Sequence, residues 1–196
     1  RDDAGNPTRM AGSHTDFTAR KRVEEQLLHD AVRDQLTGLP NRGVIIRAIT
    51  RSLGRAARRD GYSFALLHIN IDRLKLVNES LGRHAGDRLL AEIACRLKGC
   101  VRPSDLLVRL GGDEFAILVD DVRDATDATR IASRINDSMA ASFYLSDREV
   151  FASARIGIVV SGDKYQHPEE LLRDANTAMS RAKRSGRASH EVFDEA

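Results

Sequence analysis

Arg109-Leu110-Gly111-Gly112-Asp113-Glu114-Phe115-Ala116-Ile117-Leu118 is the stretch on which the reading of this chain turns. Hydrophobic runs flank two glycines and two adjacent carboxylates, a pattern of two β-strands joined by a tight turn with the acids at its tip. Glycine tolerates positive φ and lets a phosphate approach bare backbone, while Asp113 and Glu114 offer the hard oxygen donors that magnesium prefers. Taken alone, the same residues also suit an ordinary hairpin with solvated acids. The meaning of the turn therefore depends on what surrounds it.

Upstream, Phe64 to Asp72 is apolar enough for a central strand buried on both faces, with polar groups only at its far end. Asn70 and Asp72 lie two apart, so a regular strand projects them from one face. A helix then follows, with Leu89, Leu90, Ile93, Ala94 and Leu97 at helical spacing. Downstream of the hairpin, Ala128, Ile131, Ala132, Ile135 and Met139 mark another helix, and Val150 to Val160 reads as one strand. Pro168-Glu169-Glu170 opens a last helix whose buried face is Leu171, Leu172, Ala175, Ala178, Met179 and Ala182. Two consecutive strands within an alternating pattern predict an α/β (α+β) fold with a mixed or antiparallel sheet rather than a doubly wound one.

Toward the N-terminus, Asp34 to Arg42 breaks the chain with Gly38 and Pro40, and Val44, Ile45, Ile49 and Leu53 begin a helical face. Its opposite face, with Arg47, Arg51, Arg55, Arg58 and Arg59, reads as solvated surface. From Ala19 to Asp34, Val23, Leu27 and Ala31 form a stripe too short for an independent coiled coil. It suits either a signalling helix that pairs with a second copy or a linker lying on the domain. Residues 1–18 are turn-rich and have little to bury.

The 196 residues, 41% of them hydrophobic, suffice for one well-cored domain with additional material. Charged residues make up 31%, yet the net charge is only +2, so global basicity does not argue for nucleic acid. An anionic partner would be met by local patches. Cys95 and Cys100 lack metal-knuckle spacing and are expected to be buried free thiols, in keeping with a reducing cytoplasm. No segment reaches the length of a membrane span. Asn70, Asp72, Lys75, Asn78, Asp87, the acidic turn, Lys183 and Arg187 together have the chemistry to hold a metal, a base and a triphosphate. Lys75, Asn78 and Asp87 are expected on a loop.

Several ordered motifs resemble one family. They are Asp34-Gln35-Leu36-Thr37-Gly38-Leu39-Pro40-Asn41-Arg42, Asn70-Ile71-Asp72-Arg73-Leu74-Lys75-Leu76-Val77-Asn78, Gly86-Asp87, Arg109 to Phe115, and Ala182-Lys183 with Gly186-Arg187. Over residues 30 to 194 the chain resembles a GGDEF domain, the catalytic domain of diguanylate cyclases. The resemblance implies a central, mostly antiparallel sheet flanked by helices, similar to the adenylyl cyclase catalytic domain and the polymerase palm. It implies condensation of two GTP into cyclic di-GMP with release of pyrophosphate, using Mg2+ or Mn2+, in a homodimer. By the same resemblance, Asn78 and Asp87 hold the guanine edge, and Lys75, Lys183 and Arg187 contact phosphate. Gly111 and Gly112 admit the nucleotide, Asn70, Ile71 and Asp113 form the metal set, and Glu114 stands beside Asp113 in the catalytic turn. Arg102-Pro103-Ser104-Asp105 resembles the inhibitory cyclic di-GMP site, carried by Arg102 and Asp105; a turn with a surface ion pair is the plainer reading.

Four positions depart from the family pattern. Asn70 stands where the first metal aspartate is usual, Arg83 where a histidine follows glycine, Arg155 where a small hydroxyl residue precedes Ile-Gly, and Asn176 where aspartate is common. An asparagine oxygen brings no charge to a cation, so weaker metal binding is expected. This leaves a second expectation, a degenerate module that binds GTP or cyclic di-GMP and regulates an attached phosphodiesterase (EAL) domain. Residues 1–18 resemble the end of a PAS sensor domain, residues 19–34 its signalling helix, and residues 35–194 the GGDEF domain. Glu191-Val192-Phe193-Asp194-Glu195-Ala196 resembles a GGDEF–EAL junction.

Overall fold

The computed structural model describes residues 32–145, 147–162, 164–182 and 189–194. The expected PAS remnant and nearly all of the signalling helix lie outside them, as do Lys183 and Arg187. The elements are α1 (Arg42–Ala56), β1 (Ala65–Ile71), α2 (Leu74–Leu81), α3 (Arg83–Gly99), β2 (Leu106–Gly111), β3 (Glu114–Val119), α4 (Ala125–Ala140), β4 (Phe143–Leu145), β5 (Arg148–Val150), β6 (Ala154–Val160), α5 (Pro168–Ala182) and β7 (His190–Val192).

Five strands form the main sheet in the order β2-β3-β1-β6-β7. The first three pairings are antiparallel, whereas β6 and β7 run parallel. β1 is thus central, which explains its unbroken apolar run: Ala65, Leu67, Ile69 and Ile71 face one core with Leu89, Ile93, Leu97, Ile131 and Ile135 of α3 and α4. Leu66, on the other face, meets Ile45, Ile49, Leu171 and Ala175 of α1 and α5. Each such fully buried Leu or Ile contributes on the order of 2 kcal/mol. The approach of α5 is close enough that β6 needs Gly157: a Cβ there would lie 2.0 Å from the Ala175 carbonyl oxygen and 2.3 Å from the Met179 nitrogen.

Several local expectations are corrected. Lys75 and Asn78 lie on α2 and Asp87 on α3, not on a loop, because Gly82 at φ 84° separates two short helical runs that the apolar spacing alone does not divide. The strand expected from Val150 to Val160 is two: β5 pairs with β4 in a small hairpin, and β6 begins at Ala154. Cys100 is a buried free thiol, but Cys95 is exposed on the solvent side of α3. The segment at Glu191 contains the edge strand β7.

Candidate functional site

The hairpin is a two-residue turn, Gly112-Asp113, closed by the pair Gly111 and Glu114 after an irregularity between Arg109 and Gly111. Gly111 at φ 139° and Gly112 at φ 53° occupy backbone conformations that side chains disfavour, which is why the turn is built on glycine. Below it lies a clamp. Arg109 donates from Nε and Nη2 to the Gly112 carbonyl at 3.2 and 2.7 Å, and from Nη1 to both oxygens of Asp34 at 2.9 and 3.1 Å. Asp34 also accepts from the amide and hydroxyl of Thr37, at 2.8 and 2.7 Å. Burial opposes its ionisation, yet these hydrogen bonds and Arg109 hold its carboxyl below the usual range.

The turn is stitched to the end of β1. The Ile71 amide donates to the Asp113 carbonyl at 3.0 Å, and Asn70 is the cross-strand partner of Glu114 on one side and of Arg155 on the other. Cross-strand partners project from one face, so Glu114, Asn70 and Arg155 form a row over three strands. His68, one step further down that face, is buried with Nε2 3.6 Å from Glu114 Oε2. Burial pushes its pKa down, against the pull of Glu114. Asp72 is also buried, with Arg155 Nη1 2.6 Å from Oδ1 and the Ser153 hydroxyl donating to Oδ2 at 3.0 Å. Its carboxylate is already committed within the protein.

The remaining residues line α2 and α3. Lys75 is 89% exposed and 3.8 Å from Glu79, one turn along. Asn78 Oδ1 is buried without a hydrogen-bond partner among the described residues, and Gly86 leaves the room it fills, since a Cβ at 86 would lie 1.9 Å from that oxygen. Asp87 is exposed next to Gly86. An orphaned amide oxygen beside an exposed carboxylate offers complementary groups to a base edge. At the other end of β2, the Arg102 amide donates to Asp105 Oδ2 at 2.8 Å, while Asp105 Oδ1 is buried without a partner. That loop lies a strand length, roughly 20 Å, from the glycine turn.

Oxygen donors for a divalent cation converge where β1 ends: the carboxylates of Asp113 and Glu114, the amide of Asn70 and the backbone at Ile71. This set fits a hard cation by its chemistry, although it brings only two negative charges. Among the described residues no cluster of three His, Cys, Asp or Glu side chains is poised around one point. The Arg109–Asp34 clamp, His68 and the Arg155–Asp72 pair were not singled out by sequence reasoning as parts of the site. Asp34 and Arg155 stood out only as a motif residue and a departure, because nothing in a sequence pairs residues 75 or 83 positions apart.

Comparison with known proteins gives the lineage. Residues 31–189 match the family model described as diguanylate cyclase, GGDEF domain. The chain is 44% identical over 169 residues to the diguanylate cyclase TpbB of Pseudomonas aeruginosa, covering 86% of this chain and 39% of that protein. It is 36% identical over 177 residues to MucR of the same species, a bifunctional diguanylate cyclase and cyclic di-GMP phosphodiesterase, covering 90% of this chain and 26% of MucR. The solved GGDEF domain of TpbB superposes with a TM-score of 0.78 at 42% identity, over 83% of this chain and 94% of that one. This chain therefore spans well under half the length of these curated relatives, and it belongs to the GGDEF domain family of diguanylate cyclases.

Proposed function

We propose that this chain is a diguanylate cyclase domain that joins two GTP molecules into cyclic di-GMP and two pyrophosphates, each copy of a homodimer holding one GTP. The observation that carries this reading is the Gly112-Asp113 turn fastened to the end of β1 through Ile71, which sets Asp113 and Glu114 beside Asn70. Asn78 and Asp87 read the guanine edge, Gly111 and Gly112 let the phosphates approach the backbone, and Lys75 with Lys183 and Arg187 neutralises them. Asp113, Asn70 and the Ile71 backbone, with Glu114 beside them, would hold Mg2+ or Mn2+, which would supply charge stabilisation for the phosphoryl transfer. The 3′ oxygen of the GTP on one copy attacks the α-phosphorus of the GTP on the other. The bond to pyrophosphate breaks, and the hydroxyl proton leaves to solvent or a site carboxylate. A second, symmetric displacement closes the ring.

The protein works in the cytoplasm, where GTP is available; among the described residues no helix is long and apolar enough to cross a membrane. Arg102 and Asp105 bind cyclic di-GMP as an inhibitory site, with the unpartnered Asp105 Oδ1 in support. A PAS sensor domain precedes this domain and an EAL domain follows it; the relative MucR likewise joins a cyclase to a cyclic di-GMP phosphodiesterase. Incubating the purified dimer with GTP and Mg2+ or Mn2+ tests the reading, with cyclic di-GMP measured by chromatography. No product at high protein concentration refutes turnover.

One observation favours a second reading. Asn70 lacks the charge of a carboxylate, and its neighbour Asp72 is engaged by Arg155 and Ser153. A domain that binds GTP without turnover and regulates an attached EAL domain fits those facts. Binding of GTP in calorimetry with no product, and an effect of GTP on phosphodiesterase activity in the full chain, distinguish it.

A further inference from the structure

We infer that Arg155 serves as a fixed cation for the nucleotide's phosphate chain, so that GTP binds this domain with little dependence on divalent metal. The inference rests on the GTP-binding reading above. Asp113 and Glu114 place two negative charges at the mouth of the site, and an incoming triphosphate needs positive charge there. Among the described residues Lys75 has only an exposed contact with Glu79, with 89% of its side chain in solvent. Arg155 is different. Its guanidinium is only 23% exposed and is tethered to Asp72, itself 7% exposed, at 2.6 Å, and Asp72 is fixed in turn by Ser153.

The tether uses one nitrogen of a fork that carries five N–H donors, and Nε is buried without a partner among the described residues. Arg155 stands directly across the sheet from Asn70, which stands across from Glu114. The row thus runs from negative through neutral to positive over three adjacent strands. Relative to the pattern with aspartate at 70 and a hydroxyl residue at 155, each change raises the local charge by one. Together they add the charge of one divalent cation. A planar fork whose position is already set loses little freedom when phosphate oxygens bind it.

Calorimetry with the non-cleavable α,β-methylene analogue of GTP, in Mg2+ and in EDTA, tests this on the intact chain. The wild-type protein is expected to lose less than about threefold in affinity on removal of Mg2+, while Arg155→Ser loses roughly tenfold or more in EDTA and regains most of it in Mg2+. Arg155→Lys keeps the charge and the pair with Asp72 but loses the fork, and in EDTA it is expected to fall between wild type and Arg155→Ser. Thermal melting shows whether each variant folds, and the wild-type arm decides the question if Arg155→Ser does not. Wild-type binding that collapses in EDTA overturns the inference alone, as does Arg155→Ser binding in EDTA like wild type. No binding with or without Mg2+ overturns the guanine-nucleotide reading and the inference with it.

Discussion

Gly86→Ala separates the base-reading role of Asn78 from its place in the fold. An ideal Cβ at 86 would lie 1.9 Å from Asn78 Oδ1 and 2.9 Å from its Cγ, with the amide nitrogen at 3.4 Å. The obstruction is the end of a flexible side chain, not backbone, so relief costs a rotation of Asn78 worth about 0.5–1.5 kcal/mol. Against this, replacing a helical glycine by alanine gains up to about 1 kcal/mol. The two effects nearly cancel, and the melting temperature is expected to move by no more than about 3 °C. Nucleotide binding does not share in the cancellation. Displacing the amide removes one or two hydrogen bonds to guanine, about 1–3 kcal/mol, or roughly 5- to 150-fold in affinity. Calorimetry with GTP and ATP reads this as weaker GTP binding and a GTP preference that shrinks toward parity. A folded Gly86→Ala protein that binds GTP as wild type does, with the same preference over ATP, refutes the assignment of Asn78 to the base.

Three further outcomes are expected. Asn70→Asp places a charged cation ligand at the end of β1 and raises cyclic di-GMP formation in a Mg2+ assay, by about tenfold if loss of that charge limits turnover; unchanged product formation shows that the charge at position 70 alone is not enough. Asp34→Asn leaves Arg109 without its ionised partner and costs about 2 kcal/mol in urea denaturation, below the range for fully buried pairs because the Asp34 side chain is 22% exposed. Since hydrogen bonds from Thr37 and Arg109 hold the folded Asp34 carboxyl below the usual carboxylate range, that difference is fully present above the unfolded pKa and shrinks as pH falls toward the folded one; a difference that persists undiminished at pH 2 contradicts the ion pair. Gly157→Ala drives a methyl into the α5 backbone and is expected to cost about 3 kcal/mol, seen as a loss of roughly 6–12 °C in melting temperature, whereas a melting point within a degree of wild type shows that α5 yields freely.

The sheet was legible because its signals are local. The apolar run at Phe64 to Ile71 requires cover on both faces, and the glycine turn requires two antiparallel strands; together they fix β1, β2 and β3. What was misread lacks such signals. The break between β5 and β6 at Phe151-Ala152-Ser153 contains no glycine or proline, so Val150 to Val160 reads as one strand until Ser153 is seen accepting the Asp72 amide at 2.8 Å. The division of α2 from α3 rests on Gly82 alone, within a sequence whose spacing is helical throughout. Cys95 follows helical spacing onto the exposed face, and only its type suggested burial.

The site was legible by residue type and illegible by charge. A sequence shows that Asn70, Asp72, Asp113, Glu114 and Arg155 exist, and by residue type alone Asp72 stands with Asn70 among the groups that could hold a metal. Pairing decides otherwise. Arg155 lies across from Asn70 but makes its ion pair with Asp72, two residues on, so that carboxylate is unavailable to a cation unless the pair breaks. Breaking it would strand a buried carboxylate and a largely buried guanidinium, a cost of several kcal/mol that a weakly held metal ion does not offset. The altered position and the new arginine therefore act as one unit. Asn70→Asp tested alone leaves Arg155 beside the restored carboxylate, where the guanidinium competes with the metal for it. Asn70→Asp combined with Arg155→Ser should gain more cyclase activity than the sum of the single changes, because Arg155→Ser alone leaves Asp72 unpaired beside an uncharged Asn70, Asn70→Asp alone leaves Arg155 competing for the new carboxylate, and together they open both carboxylates to the cation.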